Sequence, residues 1–179
     1  DRRAGSSQLH DLLDDLGLKG KDILVLGAGG FTLSHREPLN RYTYVDIDPA
    51  IRDIAEKHFL HEPARGEFIA DDARRFVATS ERRFDAVVVD VYSSHTAIPS
   101  HLVTREFWAG TRRVLKPDGV LLANLILDGK LETPYARNLL ATLREREVAL
   151  VGQDLQRQIG KTWHQVQDGQ RFCGIYRQS

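Results

Sequence analysis

Cysteine occurs once in this chain of 179 residues, as Cys173. An internal disulfide and any multi-cysteine metal site are therefore excluded, and Cys173 reads as a small apolar residue on a late strand. Methionine is absent altogether, initiator included, so the chain is expected to be a trimmed piece of something longer. Net charge is also missing: 25 Lys and Arg balance 25 Asp and Glu. No overall basic field gathers nucleic acid and no acidic tail is present, so nucleic acid is not an expected partner. The longest uncharged apolar stretch, Val120 to Leu127, falls far short of the roughly 20 residues that span a bilayer. Direct membrane insertion is not expected, no signal peptide is visible, and a cytoplasmic setting follows as an expectation. What the chain has is 41% hydrophobic residues, enough for one substantial core, so residues 1–179 are read as a single domain.

Apolar runs alternate with helical patterns. Leu9 to Leu18 carries leucines at helical spacing and is closed by Gly17 and Gly20. Strands are expected at Ile23–Leu26, Tyr42–Val45, Phe68–Ala70, Ala86–Val89 and Val120–Asn124. Helices are expected over 49–60, with apolar positions Ile51, Ile54, Ala55, His58 and Phe59, over 73–78, and from a Thr104 cap to about Leu115. Lys116-Pro-Asp-Gly reads as a turn into the fifth strand. This alternation is the signature of a parallel α/β sheet. A helix over 134–145 is followed by strand patterns at Val148–Val151 and Arg171–Tyr176 with no clear helix between them, which predicts an antiparallel C-terminal edge.

Four acidic or glycine-bearing segments each follow a strand: Gly27-Ala-Gly-Gly, Asp46-Ile-Asp-Pro, Asp71-Asp72-Ala and Asp90-Val-Tyr-Ser-Ser. Ligands of open α/β sheets sit outside the carboxyl ends of the strands, so this order lines up a glycine turn and carboxylates there. Gly27 and Gly29 permit a sharp turn and close backbone approach to a ligand, or form a plain strand-to-helix turn. Asp46, nineteen residues after Gly27, is placed to accept hydrogen bonds from both ribose hydroxyls. Thr32 stands where a third fingerprint glycine would be, which makes NAD a minor alternative. Asp72 is placed to accept from an adenine amino group, to cap the helix that starts at Ala73, or both. Asp90 ends the apolar run Val87-Val-Val, where a carboxylate needs a partner or a cationic ligand. His58-x-x-His61 lacks a further ligand at suitable spacing, so no metal is expected.

The strings Ile23-Leu-Val-Leu-Gly-Ala-Gly-Gly, Tyr44-Val-Asp-Ile-Asp-Pro, Asp71-Asp-Ala, Phe84-Asp-Ala-Val-Val-Val-Asp and Val114-Leu-Lys-Pro-Asp-Gly-Val-Leu resemble the spermidine synthase superfamily on the class I methyltransferase fold. Asp90-Val-Tyr-Ser-Ser with Ile98-Pro-Ser-His-Leu-Val-Thr-Arg-Glu-Phe is similar to its spermidine synthase-like branch. The resemblance implies a Rossmann-like α/β fold and a donor site in which Gly27, Gly29 and Gly30 form the turn under the nucleoside. It further implies that Asp46 binds ribose, Asp72 adenine, Asp90 the aminopropyl end, and that His10 touches the donor. The donor that the resemblance implies is decarboxylated S-adenosylmethionine, or S-adenosylmethionine in a methyltransferase alternative, and the implied partner is a small-molecule amine or polyamine. Catalytic candidates are Asp90, Tyr92 and Ser93, with His95 or His101 as proton acceptors. The chain departs from the pattern at Leu9 in place of a tyrosine, Gly30 in place of an aspartate, and Ser93 in place of a second aspartate. The donor half thus looks kept and the acceptor half altered, which leaves open a nucleoside-binding domain without catalysis. Relatives commonly carry an N-terminal β-rich segment that helps form dimers; this chain is expected to lack it, and a homodimer remains an option.

Overall fold

Seven strands form one sheet: β1 (Asp22–Leu26), β2 (Arg41–Asp46), β3 (Glu67–Ala70), β4 (Phe84–Val89), β5 (Leu115–Ile126), β6 (Ala149–Val151) and β7 (Arg171–Arg177). The structure, a computed structural model, describes residues 13–14, 16–91, 104–126, 133–145, 149–151 and 171–177. The strand order is β3-β2-β1-β4-β5-β7-β6. The first five strands are parallel. β7 is antiparallel both to β5 and to β6, so β6 runs in the same sense as the first five. The antiparallel strand therefore lies one place in from the edge, and the edge itself is β6.

Both faces of the sheet are covered, which explains the near-continuous apolar runs of the central strands. Leu24, Leu26, Val87, Val89, Leu121 and Ala123 point to one side. There they meet Phe76 and Val77 of α2 (Ala73–Thr79), Phe107 and Trp108 of α3 (Arg105–Arg113), and Leu139 of α4 (Pro134–Glu145). Ile23, Val25, Ala86, Val88, Val120 and Leu122 point the other way, into a core with Leu13, Leu18, Phe31, Tyr44 and Ala55. The period of two along each strand is what separates the two sets. Before β1, a helix closes with Gly17 at φ 71. The Leu18 N–H donates to Leu13 O and the Gly17 N–H to Asp14 O, both at 2.9 Å, which is a Schellman closure.

The crossover from β1 to β2 departs from strand and helix alternation: residues 27–40 form successive turns with no helix. Phe31 has φ 55 and Arg36 φ 58, a left-handed conformation that interrupts any helical run and is uncommon for bulky residues. Phe31 is fully buried, its ring 4.5 Å from Tyr44 and 5.7 Å from Phe68. Ser34 is locked in the same core. Its N–H donates to Tyr44 Oη at 2.9 Å, Tyr44 O–H donates to Ser34 Oγ at 2.9 Å, and Ser34 O–H donates to Arg65 O at 2.8 Å.

The helix expected over 49–60 is α1 (Ile51–Ala55) running into a π-helical turn, Glu56–Leu60, that ends at His61 with φ 55. The wider turn rotates the following side chains relative to an α-helix. Ala55 is buried and Ile51 and Leu60 pack on the core, while Ile54 and Phe59, expected on the apolar face, are 40% and 49% exposed.

Lys116-Pro-Asp-Gly is a bulge within β5 and not a turn preceding it. Leu115 pairs with Phe84 and Val120 with Ala86, so 116–119 loop out between two paired stretches, with Asp118 at φ 62. The bulge aims Lys116 at the amino edge of the sheet, where its Nζ lies 2.8 Å from Asp22 and 3.0 Å from Asp85. Asp85 also accepts the Asp22 N–H at 2.8 Å, and Arg41 Nε donates to Asp22 at 2.6 Å. Four adjacent strands are thereby tied at their starts. The Arg41 and Lys116 hydrogen bonds hold the Asp22 carboxyl down at about 2.

Candidate active site

Gly27, Gly29 and Gly30 follow β1, Asp46 ends β2, Asp72 follows β3 and Asp90 follows β4. The structure brings all six to the carboxyl edge of the parallel strands. His10, Tyr92 and Ser93, together with Leu9, His95, His101 and Trp163, lie outside the described residues. Cys173 lies on β7, and His58 and His61 are exposed.

The glycine turn is built by close backbone packing. Gly27 has φ 92, and a Cβ there would stand 2.4 Å from the carbonyl oxygen of Asp90. Only glycine lets the end of β1 lie this close to the end of β4. Gly27 N–H donates to Val45 O at 2.8 Å and Asp90 N–H to Leu26 O at 2.8 Å, which continues the ladders of three strands into the site. Gly29, at φ 53, has open space around it. Among the described residues no backbone acceptor faces the Gly29 or Gly30 amides.

Asp46 is half-buried and engaged by both oxygens. Oδ2 accepts the Ala28 N–H at 2.8 Å and Oδ1 the Asp48 N–H at 3.0 Å. Each carboxylate oxygen retains further lone-pair capacity, and the two amides fix the rotamer. The Asp46 carbonyl accepts the Asp71 N–H at 2.9 Å, so the turn before α2 hangs on the same residue. Of the two readings of Asp72, capping is realised: its Oδ1 accepts the Arg75 N–H at 3.0 Å, which satisfies one free donor of α2. Asp71 is bound by Arg75 at 2.6 Å.

Ile47 is the residue that motif reading passed over. It is apolar and 72% exposed, flanked by Asp46 and by Asp48, whose Oδ1 accepts the Ala50 N–H at 2.9 Å. An exposed apolar side chain between two acids at a strand end was the available signal. Asp22, Asp85 and Lys116 lie at the opposite edge and take no part. Among the described residues no group of three His, Cys, Asp or Glu side chains is arranged to hold a metal, and no helix is long and apolar enough to cross a membrane.

Residues 12–149 match the family described as the spermine/spermidine synthase domain. This chain belongs to that family. It is 32% identical over 121 residues to a polyamine aminopropyltransferase of Vibrio vulnificus, covering 63% of this chain and 40% of the relative. It is also 32% identical over 133 residues to an "eEF1A lysine and N-terminal methyltransferase homolog" of Drosophila pseudoobscura pseudoobscura, covering 66% of this chain and 20% of the relative. The chain therefore spans less than half the length of either. A crystal structure of spermidine synthase in complex with the transition-state analogue AdoDATO superposes with a TM-score of 0.69 at 16% identity, covering 96% of this chain and 61% of that one. That likeness shows the fold alone: a Rossmann-like class I methyltransferase architecture.

Proposed function

We propose that this chain binds decarboxylated S-adenosylmethionine and passes its aminopropyl group to a small amine or polyamine, releasing methylthioadenosine. The observation that carries the reading is the convergence of the glycine turn with Asp46, Asp72 and Asp90 at one sheet edge, in a chain of the spermine/spermidine synthase family. Asp46 offers its remaining lone pairs to the ribose hydroxyls, Ile47 an apolar surface to the purine, and the Asp72 carboxylate an acceptor for the adenine amino group. The donor carries a sulfonium and an amine but no carboxylate. Asp90 stabilises that positive charge. The acceptor nitrogen attacks the propyl carbon next to sulfur; the C–N bond forms as the C–S bond breaks, and the electron pair leaves on sulfur as a neutral thioether. Positioning and charge account for most of the acceleration. The acceptor ammonium must first lose a proton, and general-base help of that kind contributes about 10²-fold to 10⁴-fold. Ser93 is a poor base, so the acceptor half works through Tyr92, a neighbouring histidine or water.

A second reading is methyl transfer from S-adenosylmethionine. It is supported by the Drosophila relative's name and by the open Gly29 and Gly30 amides, which can receive a carboxylate where aminopropyltransferases place an acid. Calorimetric titration with decarboxylated S-adenosylmethionine, S-adenosylmethionine and methylthioadenosine separates the two. Tighter binding of the decarboxylated donor, with methylthioadenosine released in the presence of polyamines, is the expected result. Preference for S-adenosylmethionine moves the assignment to methyl transfer, and binding of none of the three removes both.

A further inference from the structure

Asp46 makes two kinds of contact that a ribose ligand alone would not require. Its carboxylate holds the Ala28 N–H at 2.8 Å across from β2 to the glycine turn, and the Asp48 N–H at 3.0 Å on its own strand end. The next backbone bond along, Gly27 N–H to Val45 O at 2.8 Å, belongs to the β1 to β2 ladder and does not involve the carboxylate. The glycine turn thus has one anchor set by backbone pairing and one set by a side chain. Beyond Ala28, Gly29 is exposed with nothing within 4 Å of a Cβ position. Among the described residues the further backbone hydrogen bond of the turn is Phe31 N–H to Ala28 O at 3.0 Å, internal to it, while the Ala28 methyl packs in the core with Phe31.

We infer that Asp46 is the positioning residue of the glycine turn, so that recognising the ribose and fixing the turn under the nucleoside are one event. The inference rests on the nucleoside-binding reading for its ligand but not for its geometry. A carboxylate accepting two backbone N–H bonds is already in the rotamer that presents its free lone pairs outward, and a ribose diol that adopts those lone pairs reinforces a charge that the turn also uses. Loss of the carboxylate removes the ribose contacts and releases Ala28 together.

The test uses Asp46→Ala, with Asp46→Asn as a second variant that keeps one acceptor and the side-chain volume. Amide hydrogen exchange of Ala28 is followed in the free protein against Gly27, whose bond to Val45 both variants retain. The expected result is exchange at Ala28 at least about 10-fold faster relative to Gly27 in Asp46→Ala; general destabilisation would speed both amides and leave their ratio unchanged. Binding is then compared for methylthioadenosine and its 2′,3′-dideoxy analogue. A side chain that only contacts ribose predicts equal affinity of wild type and variant for the dideoxy ligand, whereas a positioning role predicts a further loss of about 5-fold to 10-fold. An unchanged Ala28 to Gly27 ratio, or equal dideoxy affinities, overturns the inference. If wild type binds neither nucleoside, the functional reading fails, and the exchange ratio still decides whether Asp46 sets the turn.

Discussion

Substituting Gly27 by alanine tests the closest approach in the site. The new Cβ would stand 2.4 Å from Asp90 O, 2.8 Å from Asp90 C and 3.1 Å from Val91 Cγ1. Two of these are backbone atoms paired to Leu26 through the Asp90 N–H, so they cannot swing aside as a side-chain tip would. The backbone conformation at φ 92 adds about 1–2 kcal/mol for an L-residue, and forcing a methyl into a packed site adds about 1–3 kcal/mol. The sum is about 2–5 kcal/mol, or about 4–20 °C in Tm for a domain of this size. Gly29→Ala is the control: its φ of 53 carries the same kind of strain, but a Cβ there meets nothing within 4 Å. It should lose only about 1–2 kcal/mol. Urea unfolding of both variants, followed by circular dichroism, gives the comparison. Equal losses for the two would refute the argument that contact with the Asp90 backbone fixes Gly27.

Other expectations follow from the core and the amino edge. In Gly110→Ala the Cβ would stand 2.7 Å from Val77 Cγ2, so about 1–3 kcal/mol is lost by overpacking; adding Val77→Ala should recover part of it in a double-mutant cycle. Tyr44→Phe strands the buried Ser34 N–H and frees its Oγ from a donor, at about 1–3 kcal/mol by chemical denaturation. Asp22 is depressed in the folded state to about 2 from an ordinary 3.8, so its contribution is full above about pH 4 and is lost as pH falls toward 2. Lys116→Met should shrink that acid-side loss while lowering stability at pH 7, because Asp22 and Asp85 are then left facing each other; acid titration of unfolding in both proteins measures it.

The strands were readable because Ile23–Leu26 and Val87–Val89 are apolar on both faces, and α3 because Thr104 caps its start. The acids at the carboxyl edge were readable because each directly follows such a run. Three features were not. The left-handed Phe31 replaces a crossover helix through ring contacts with Tyr44 and Phe68, which no local pattern encodes. The π-helical turn shifts the phase after Ala55, so a period of 3.6 carried on from α1 misassigns Phe59. Lys116 reads as a turn residue because its acids are far away in sequence and meet it only through the sheet. Asp46 was legible as a ribose acceptor, while its hold on Ala28 depends on a neighbouring strand.

The order of strands also sets a timetable for the chain as it leaves the ribosome. β2 through β5 each find a partner among strands already made, whereas β6 pairs, among the described strands, only with β7, which follows it. The side of β5 turned away from β4 likewise waits for Arg171–Arg177. A chain cut just before Arg171 would therefore lose two strands of the sheet for one segment removed, and would leave β5 as an open edge ready to pair with another copy.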